Sequence, residues 1–210
     1  MSHLHYFDGK LFGEVFVTLT VIMDPLGTVP VFLGLTNGRT MKARHRLAWQ
    51  AVVTAGAVIG VFAVFGQSIL NYLGITLPAL QGAGGLLLLL VALELLTGRS
   101  DTPTEVRDVN VALVPLGTPL LAGPGAIVAT IVFVRGAHGV AGLLAIIAAV
   151  LAVHVLLYSA LRFSVLLIRV IKDTGISLLT RIFGLLLSAI AVQLVANSIT
   201  AFVRHPGGHV

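Results

Sequence analysis

The sequence predicts an all-α membrane protein with six transmembrane helices laid out as two inverted three-helix repeats. The first and fourth helices are expected to be interrupted at Pro/Gly motifs. Three observations carry this expectation. The 210 residues are 57% hydrophobic and only 10% charged, with a mean hydropathy of +1.04, far from the averages of soluble domains. Apolar windows such as 77–96 and 139–161 are long enough to cross roughly 30 Å of hydrocarbon as helices, and no train of short alternating strands suggests a barrel. Finally, "PLGT" stands at Pro25 to Thr28 and again at Pro115 to Thr118, inside segments that would otherwise read as continuous helix.

Hydropathy and turn signals place the spans near 11–35, 47–73, 77–97, 111–134, 139–161 and 176–203. The connections are short except for "RSDTPTEVRDVN" and the half-polar "RFSVLLIRVIKDTG". Residues 1–210 read as one membrane domain, with repeat 1 at about 11–97 and repeat 2 at about 111–203. The opening "MSHLHYFDGK" has no small-residue cleavage pattern after it, so the first helix is expected to stay in the mature chain. One set of loops carries Arg39, Lys42, Arg44, Arg46, Arg99, Arg107, Arg162, Arg169, Lys172 and Arg181, and the other only Lys10, Arg135 and Arg204. The positive-inside rule then puts both termini outside the cytoplasm. If the fifth helix continues through "SVLLIRVI", Arg162 and Arg169 lie along an interfacial helix and the bias persists without them. A pI near 10.2 therefore reflects membrane orientation, and no nucleic acid is expected as a partner. The absence of cysteine excludes disulfides and thiolate sites. His3, His5, His205 and His209 lack the spacing of a metal centre, so neither metal nor cofactor is expected.

Pro25 and Pro30 cannot donate to the helical ladder, and their rings would press on the carbonyls of Val21 and Leu26. Irregular backbone at membrane depth survives only where protein covers it or where it lines a polar cavity. The fourth span repeats the break, with Pro115, Pro119 and Pro124 within ten residues. Three spans separate the two copies, so the second half enters the bilayer inverted, and a pair of interrupted helices points to a midplane binding site. Thr28 and Thr118 are candidate N-caps of half-helices starting near Pro30 and Pro119. Such amino ends attract an anion, for example a substrate carboxylate.

The segments "MDPLGTVPVFLGLT", "LPALQGAGGLLLLLVALELL", "VPLGTPLLAGPGAI" and "TRIFGLLLSAIAVQLVANSI" resemble, in order and spacing, the MarC family of six-span inner-membrane proteins over almost the whole chain. The resemblance implies a LysE-like secondary transporter built from two inverted three-helix repeats in the bacterial inner membrane. Members described as small neutral amino acid transporters imply glycine-like or alanine-like substrates. The chain departs from the family pattern at Gly117 and Thr118, where more apolar residues are expected, and at Ser198, where glycine is common.

The substrate-binding candidates are Asp24, Pro25, Gly27, Thr28, Pro115, Gly117, Thr118, Gly123 and Gly125. Of the eight acidic residues only Asp24 lies near the middle of a span, and an intramembrane acid is a functional candidate by default. It could hold a substrate ammonium, carry a coupling proton, or cap the helix end. His154, mid-span in the fifth helix, is the other coupling candidate, with packing as its ordinary role. Glu94 is expected at the cytoplasmic interface beside Arg99 rather than in the pocket. Gln81, Gln193 and Asn197 are secondary polar candidates. The last two share a helix face and would either bond another helix or point into the path. The glycines of "QGAGG" would admit another backbone, and Gly56 with Gly60 would suit helix packing or a homo-oligomer.

The function read from this is secondary active transport of a small neutral amino acid by alternating access, coupled to H+ or Na+, with no enzyme activity. The rivals are a channel or exporter for another small solute, a membrane enzyme, and a transport-inactive interaction protein. The few charged residues in the spans speak against ion conduction, and only Asp24 and His154 lie deep enough to begin a catalytic set.

Overall fold

The structure, a computed structural model, describes residues 7–97 and 121–204. Among them are seven helices and no strand: α1 (Gly9–Met23), α2 (Thr28–Leu35), α3 (Met41–Leu73), α4 (Leu77–Thr97), α5 (Pro124–Gly136), α6 (Gly139–Arg162) and α7 (Ser164–Arg204). Four helical stretches are long and apolar enough to cross a membrane: α3, α4, α6 and the Thr174–Arg204 part of α7. The bent pair α1–α2 makes a fifth crossing if it counts as one. α5 has 13 residues, about 20 Å at 1.5 Å per residue, too short to cross alone. Residues 98–120 lie outside the described residues, and with them Pro115, Gly117, Thr118 and most of the upstream half of the predicted fourth span. The described chain thus accounts for four to five of the six expected spans.

Where hydropathy dominates, the bounds follow the sequence, as at α4 and α6. α3 instead begins six residues before the expected 47, because Thr40 caps it, its hydroxyl accepting from the Ala43 N–H at 3.3 Å. The turn "MKARHR" is a polar extension of the helix that a hydropathy window does not see. At this end Arg44 Nε donates to the Thr36 carbonyl at 3.3 Å, and Arg162 of α6 meets His45 of α3.

The main core lies between α1, α3, α5 and α6. Small residues at Ala48, Ala51 and Ala55 on α3 and Ala145 and Ala149 on α6 are fully buried there. Without a hydrophobic drive between helices in lipid, small side chains let the backbones approach and gain dispersion energy. α4 packs against α7 through Leu88, Ala92, Leu187 and Ala191. Large apolar groups such as Val64, Phe65, Leu90, Leu151 and Val155 are exposed. That exposure is a liability in water and the normal condition against acyl chains.

The half-polar connector is mostly helical. α6 ends at Phe163, whose N–H donates to the Ser159 carbonyl at 3.0 Å, and the chain resumes at once as α7. α7 is broken at Lys172, with φ 62° and ψ 162°. Before that break Leu167, Ile168 and Ile171 pack with Val29 and Leu33 of α2, while Val165, Leu166 and Val170 are exposed. The short half-helix α2 therefore rests on a helical strip supplied by α7.

Candidate functional site

The axes of α1 and α2 differ by 46°. Pro25 leaves the Val21 carbonyl without its helical donor, and α1 stops at Met23, with Asp24 as its C-cap in the left-handed conformation, φ 38° and ψ 72°. The backbone closes again within four residues: Thr28 N donates to the Asp24 carbonyl at 3.0 Å and Val29 N to the Leu26 carbonyl at 3.2 Å. Thr28 Oγ1 donates to the Asp24 carbonyl at 2.8 Å and, more weakly, to that of Met23 at 3.4 Å. This corrects the expected N-cap role of Thr28. Thr28 is the first residue of α2, and its hydroxyl turns back to the Met23 and Asp24 carbonyls at the end of α1, the second of which also takes the Thr28 N–H. The side-chain acceptor at this amino end is Asp24, whose Oδ1 takes the Gly27 N–H at 3.0 Å.

Asp24 is 6% exposed, and its second oxygen, Oδ2, is buried with no partner. It lines a cavity of about 180 Å³, the volume of roughly six waters at about 30 Å³ each. The other polar walls are Thr28, Glu94 and Thr180, and the apolar ones include Ile22, Val31, Val91 and Leu95. Thr180 Oγ1 is also buried and unpartnered. Gly27 separates the two groups: a Cβ there would overlap Asp24 Oδ2 and stand 3.0 Å from Thr180 Oγ1. A larger depression of about 440 Å³ near Phe7, Lys10 and His138 contains no buried unpartnered group.

Among the described residues no lysine or arginine lines the Asp24 cavity. Two carboxylates and two hydroxyls suit a small cation or an ammonium group. An incoming carboxylate at the α2 amino end would meet Asp24 already holding the Gly27 N–H, so the expected anion site is not formed there. Two further corrections concern α4 and α7. Glu94 stands in the cavity wall, not apart from the pocket. Thr180, the first residue of "TRIFGLLLSAI", is a polar wall that sequence reasoning passed over.

The remaining candidates divide. Pro25 is buried in the break and does not line the cavity. Gly123 caps α5 and Pro124 opens it, so a helix begins at the second Pro/Gly motif, and the part of the predicted fourth span before residue 121 lies outside the described residues. Gly125 packs against Leu88 and Ile22. Gln81 is half-buried on α4. Gln193 Nε2 donates to Asn197 Oδ1 at 2.8 Å on the exposed side of α7, a bond within one helix, neither to a neighbouring helix nor into the Asp24 cavity. His154 lies between α6 and α3, with Nδ1 paired to the Val150 carbonyl at 2.7 Å and Nε2 buried without a partner. Its ring fits against Gly56, where a Cβ would meet Cδ2 at 3.2 Å, so Gly56 serves this internal contact, while Gly60 faces open space. His154 is not part of the Asp24 cavity. The "QGAGG" glycines do admit neighbours closely: Gly84 meets Val128 of α5, and Gly85 meets the Ala191 carbonyl of α7.

A bundle of long apolar helices, one of them broken beside a buried acid and a small polar cavity, defines a multi-pass integral membrane protein with a candidate solute site. Residues 9–203 match the MarC family integral membrane protein description, and the chain belongs to that family. It is 37% identical over 199 residues to a UPF0056 membrane protein of Methanocaldococcus jannaschii, covering 91% of this chain and 97% of the relative. A UPF0056 membrane protein of Aquifex aeolicus is 35% identical, covering 94% and 96%. UPF0056 membrane protein YhcE of Escherichia coli is 30% identical, covering 92% and 94%. No solved structure matches the chain.

Proposed function

We propose that this protein is a secondary active transporter for small neutral amino acids of glycine or alanine size, working by alternating access across the bacterial inner membrane. The observation that carries the reading is Asp24 Oδ2, buried and unpartnered beside a helix break and facing a cavity of about 180 Å³. A buried carboxylate oxygen without a donor is costly, and an ammonium group or a coupling H+ or Na+ relieves that cost when it binds. The cavity falls below the roughly 300 Å³ at which drug-sized sites begin, which fits a solute of a few heavy atoms. In this reading the substrate ammonium, or the coupling ion, sits between Asp24 and Glu94, and the termini face away from the cytoplasm.

The two-repeat architecture is part of the same proposal. α2 packs on α6 and α7, and α5 packs on α3 and α4, the exchange expected if the two halves are related by a two-fold axis in the membrane plane. The test is uptake of labelled alanine and glycine into proteoliposomes under imposed proton and sodium gradients. Gradient-driven accumulation supports the proposal, and failure to take up either solute under any gradient refutes it.

A further inference from the structure

Two of the oxygens in the walls of the Asp24 cavity are buried and uncommitted. Asp24 Oδ1 already takes the Gly27 N–H at 3.0 Å, and the Thr28 hydroxyl donates to the Asp24 carbonyl at 2.8 Å. Asp24 Oδ2 and Thr180 Oγ1 remain, both buried and both without a partner. They come from elements far apart in the chain, the α1–α2 break and α7. Both flank the space that a side chain at residue 27 would fill: one Cβ on Gly27 would overlap Asp24 Oδ2 and stand 3.0 Å from Thr180 Oγ1. The Thr180 hydroxyl has a proton to offer Oδ2, yet no bond joins them, so a further proton on the pair does not bridge them either. A bare cation accepts lone pairs from both oxygens at once.

The surroundings narrow the choice of ion. Ile22 and Met23, at the carboxyl end of α1, line the same cavity, and the dipole of a half-helix favours positive charge at that end. Among the described residues no group of three or more His, Cys, Asp or Glu is placed to hold a metal ion. One carboxylate and one neutral hydroxyl therefore match a monovalent, oxygen-seeking ion better than a divalent one.

The same walls bear on the solute. Among the described residues no Lys or Arg lines the cavity, so the carboxylate of a zwitterion entering alone meets Asp24 and Glu94 without a positive partner. A cation held at Asp24 supplies that partner, and the solute ammonium is then free to face Glu94. Charge alternates along such a row, from Asp24 through the ion, the carboxylate and the ammonium to Glu94.

We infer that Asp24 Oδ2 and Thr180 Oγ1 are two ligands of one Na+ ion, and that the bound ion receives the carboxylate of the amino acid. The ion binds first. Receipt of the carboxylate rests on the amino acid transporter reading above, whereas the ion site stands on the two oxygens.

The test follows the unfolding midpoint and the binding of labelled Na+ as purified protein in choline chloride is titrated with NaCl, or with KCl, at constant ionic strength. Na+ should raise the midpoint saturably, as a ligand of the folded state does, and the larger K+ should do so far less. Thr180→Val keeps the shape and removes the oxygen, so Na+ affinity should fall about tenfold or more, the scale of one contact to a charged group. Its midpoint in choline should hold, which shows that the variant folds. Thr180→Ser should keep near-native affinity, and Asp24→Asn should lose it. No saturable Na+ effect on the native protein, or an equal effect of K+, overturns the inference. So does native Na+ affinity in Thr180→Val or in Asp24→Asn. Alanine bound equally well in Na+ and in choline overturns the order of binding. Na+ binding that depends on Thr180, with neither alanine nor glycine bound in saturating Na+, supports the ion site and refutes only the proposed substrate.

Discussion

Replacing Asp24 by asparagine and by alanine separates the two tasks this residue performs. Asparagine keeps an acceptor for the Gly27 N–H, now at 3.0 Å, and tolerates the left-handed backbone at φ 38°. Alanine does neither. A lost cap costs about 1 kcal/mol, and an ordinary side chain in the left-handed region about 1–2 kcal/mol. Both variants remove the buried charge, so that contribution cancels between them. Asp24→Ala should therefore be about 2–3 kcal/mol less stable than Asp24→Asn, read by thermal or denaturant unfolding in detergent. Transport should rank differently. A hydrogen bond to a charged group is worth about 1.5–3 kcal/mol, so both variants should lose roughly 10- to 150-fold in apparent affinity for alanine. Native affinity in the asparagine variant would reduce Asp24 to a helix cap and sink the site assignment. Equal stability of the two variants would show that the cap and the backbone conformation contribute nothing.

Further outcomes follow from the same geometry. Gly27→Ala forces a methyl into the space of Asp24 Oδ2 and should cost about 1–3 kcal/mol together with uptake, whereas Gly34→Ala, with open space around it, should keep uptake; equal behaviour of the two would contradict the cavity described. Gly85→Ala, whose Cβ would stand 2.8 Å from the Ala191 carbonyl, should lower the unfolding midpoint more than Gly184→Ala, whose nearest neighbours stand 3.1–3.2 Å away, while Gly60→Ala, in open space, should not lower it; equal midpoints for Gly85→Ala and Gly60→Ala would contradict the close seating of α4 on α7. His154→Phe removes a buried unpartnered nitrogen but also the Nδ1 bond to the Val150 carbonyl, and its larger ring presses on α3 at Gly56, so stability should fall by about 1–3 kcal/mol while gradient-driven uptake persists; loss of gradient coupling alone would make His154 a proton relay. Glu94→Gln should weaken apparent cation or amino acid affinity several-fold with an unchanged unfolding midpoint, measured on the same preparation, and native affinity would remove Glu94 from the site.

The break itself was legible because proline chemistry is local: Pro25 removes a donor wherever the helix lies, and the structure ends α1 one residue before Asp24. What the break does with its side chains was less legible. Thr28 has a hydroxyl able to donate or accept, and only the directions of the nearby carbonyls decide that it donates to Asp24. Glu94 was misplaced for another reason. "GLLLLLVALELL" is apolar on every side, so no periodicity tells which way α4 turns, and the facing of Glu94 is settled by Gly85 and Ala92 seating against α7. Thr180 suffers the same ambiguity, since a lone hydroxyl in an apolar helix acquires meaning only from its tertiary neighbours.

The left-handed backbone at Asp24 narrows the alphabet of that position before any chemistry is considered. Glycine, asparagine and aspartate visit this region readily, and other side chains do so at a cost. Of those three only aspartate carries a charge. Mutational drift at residue 24 is therefore confined to three letters, of which the proposed cation site reads one.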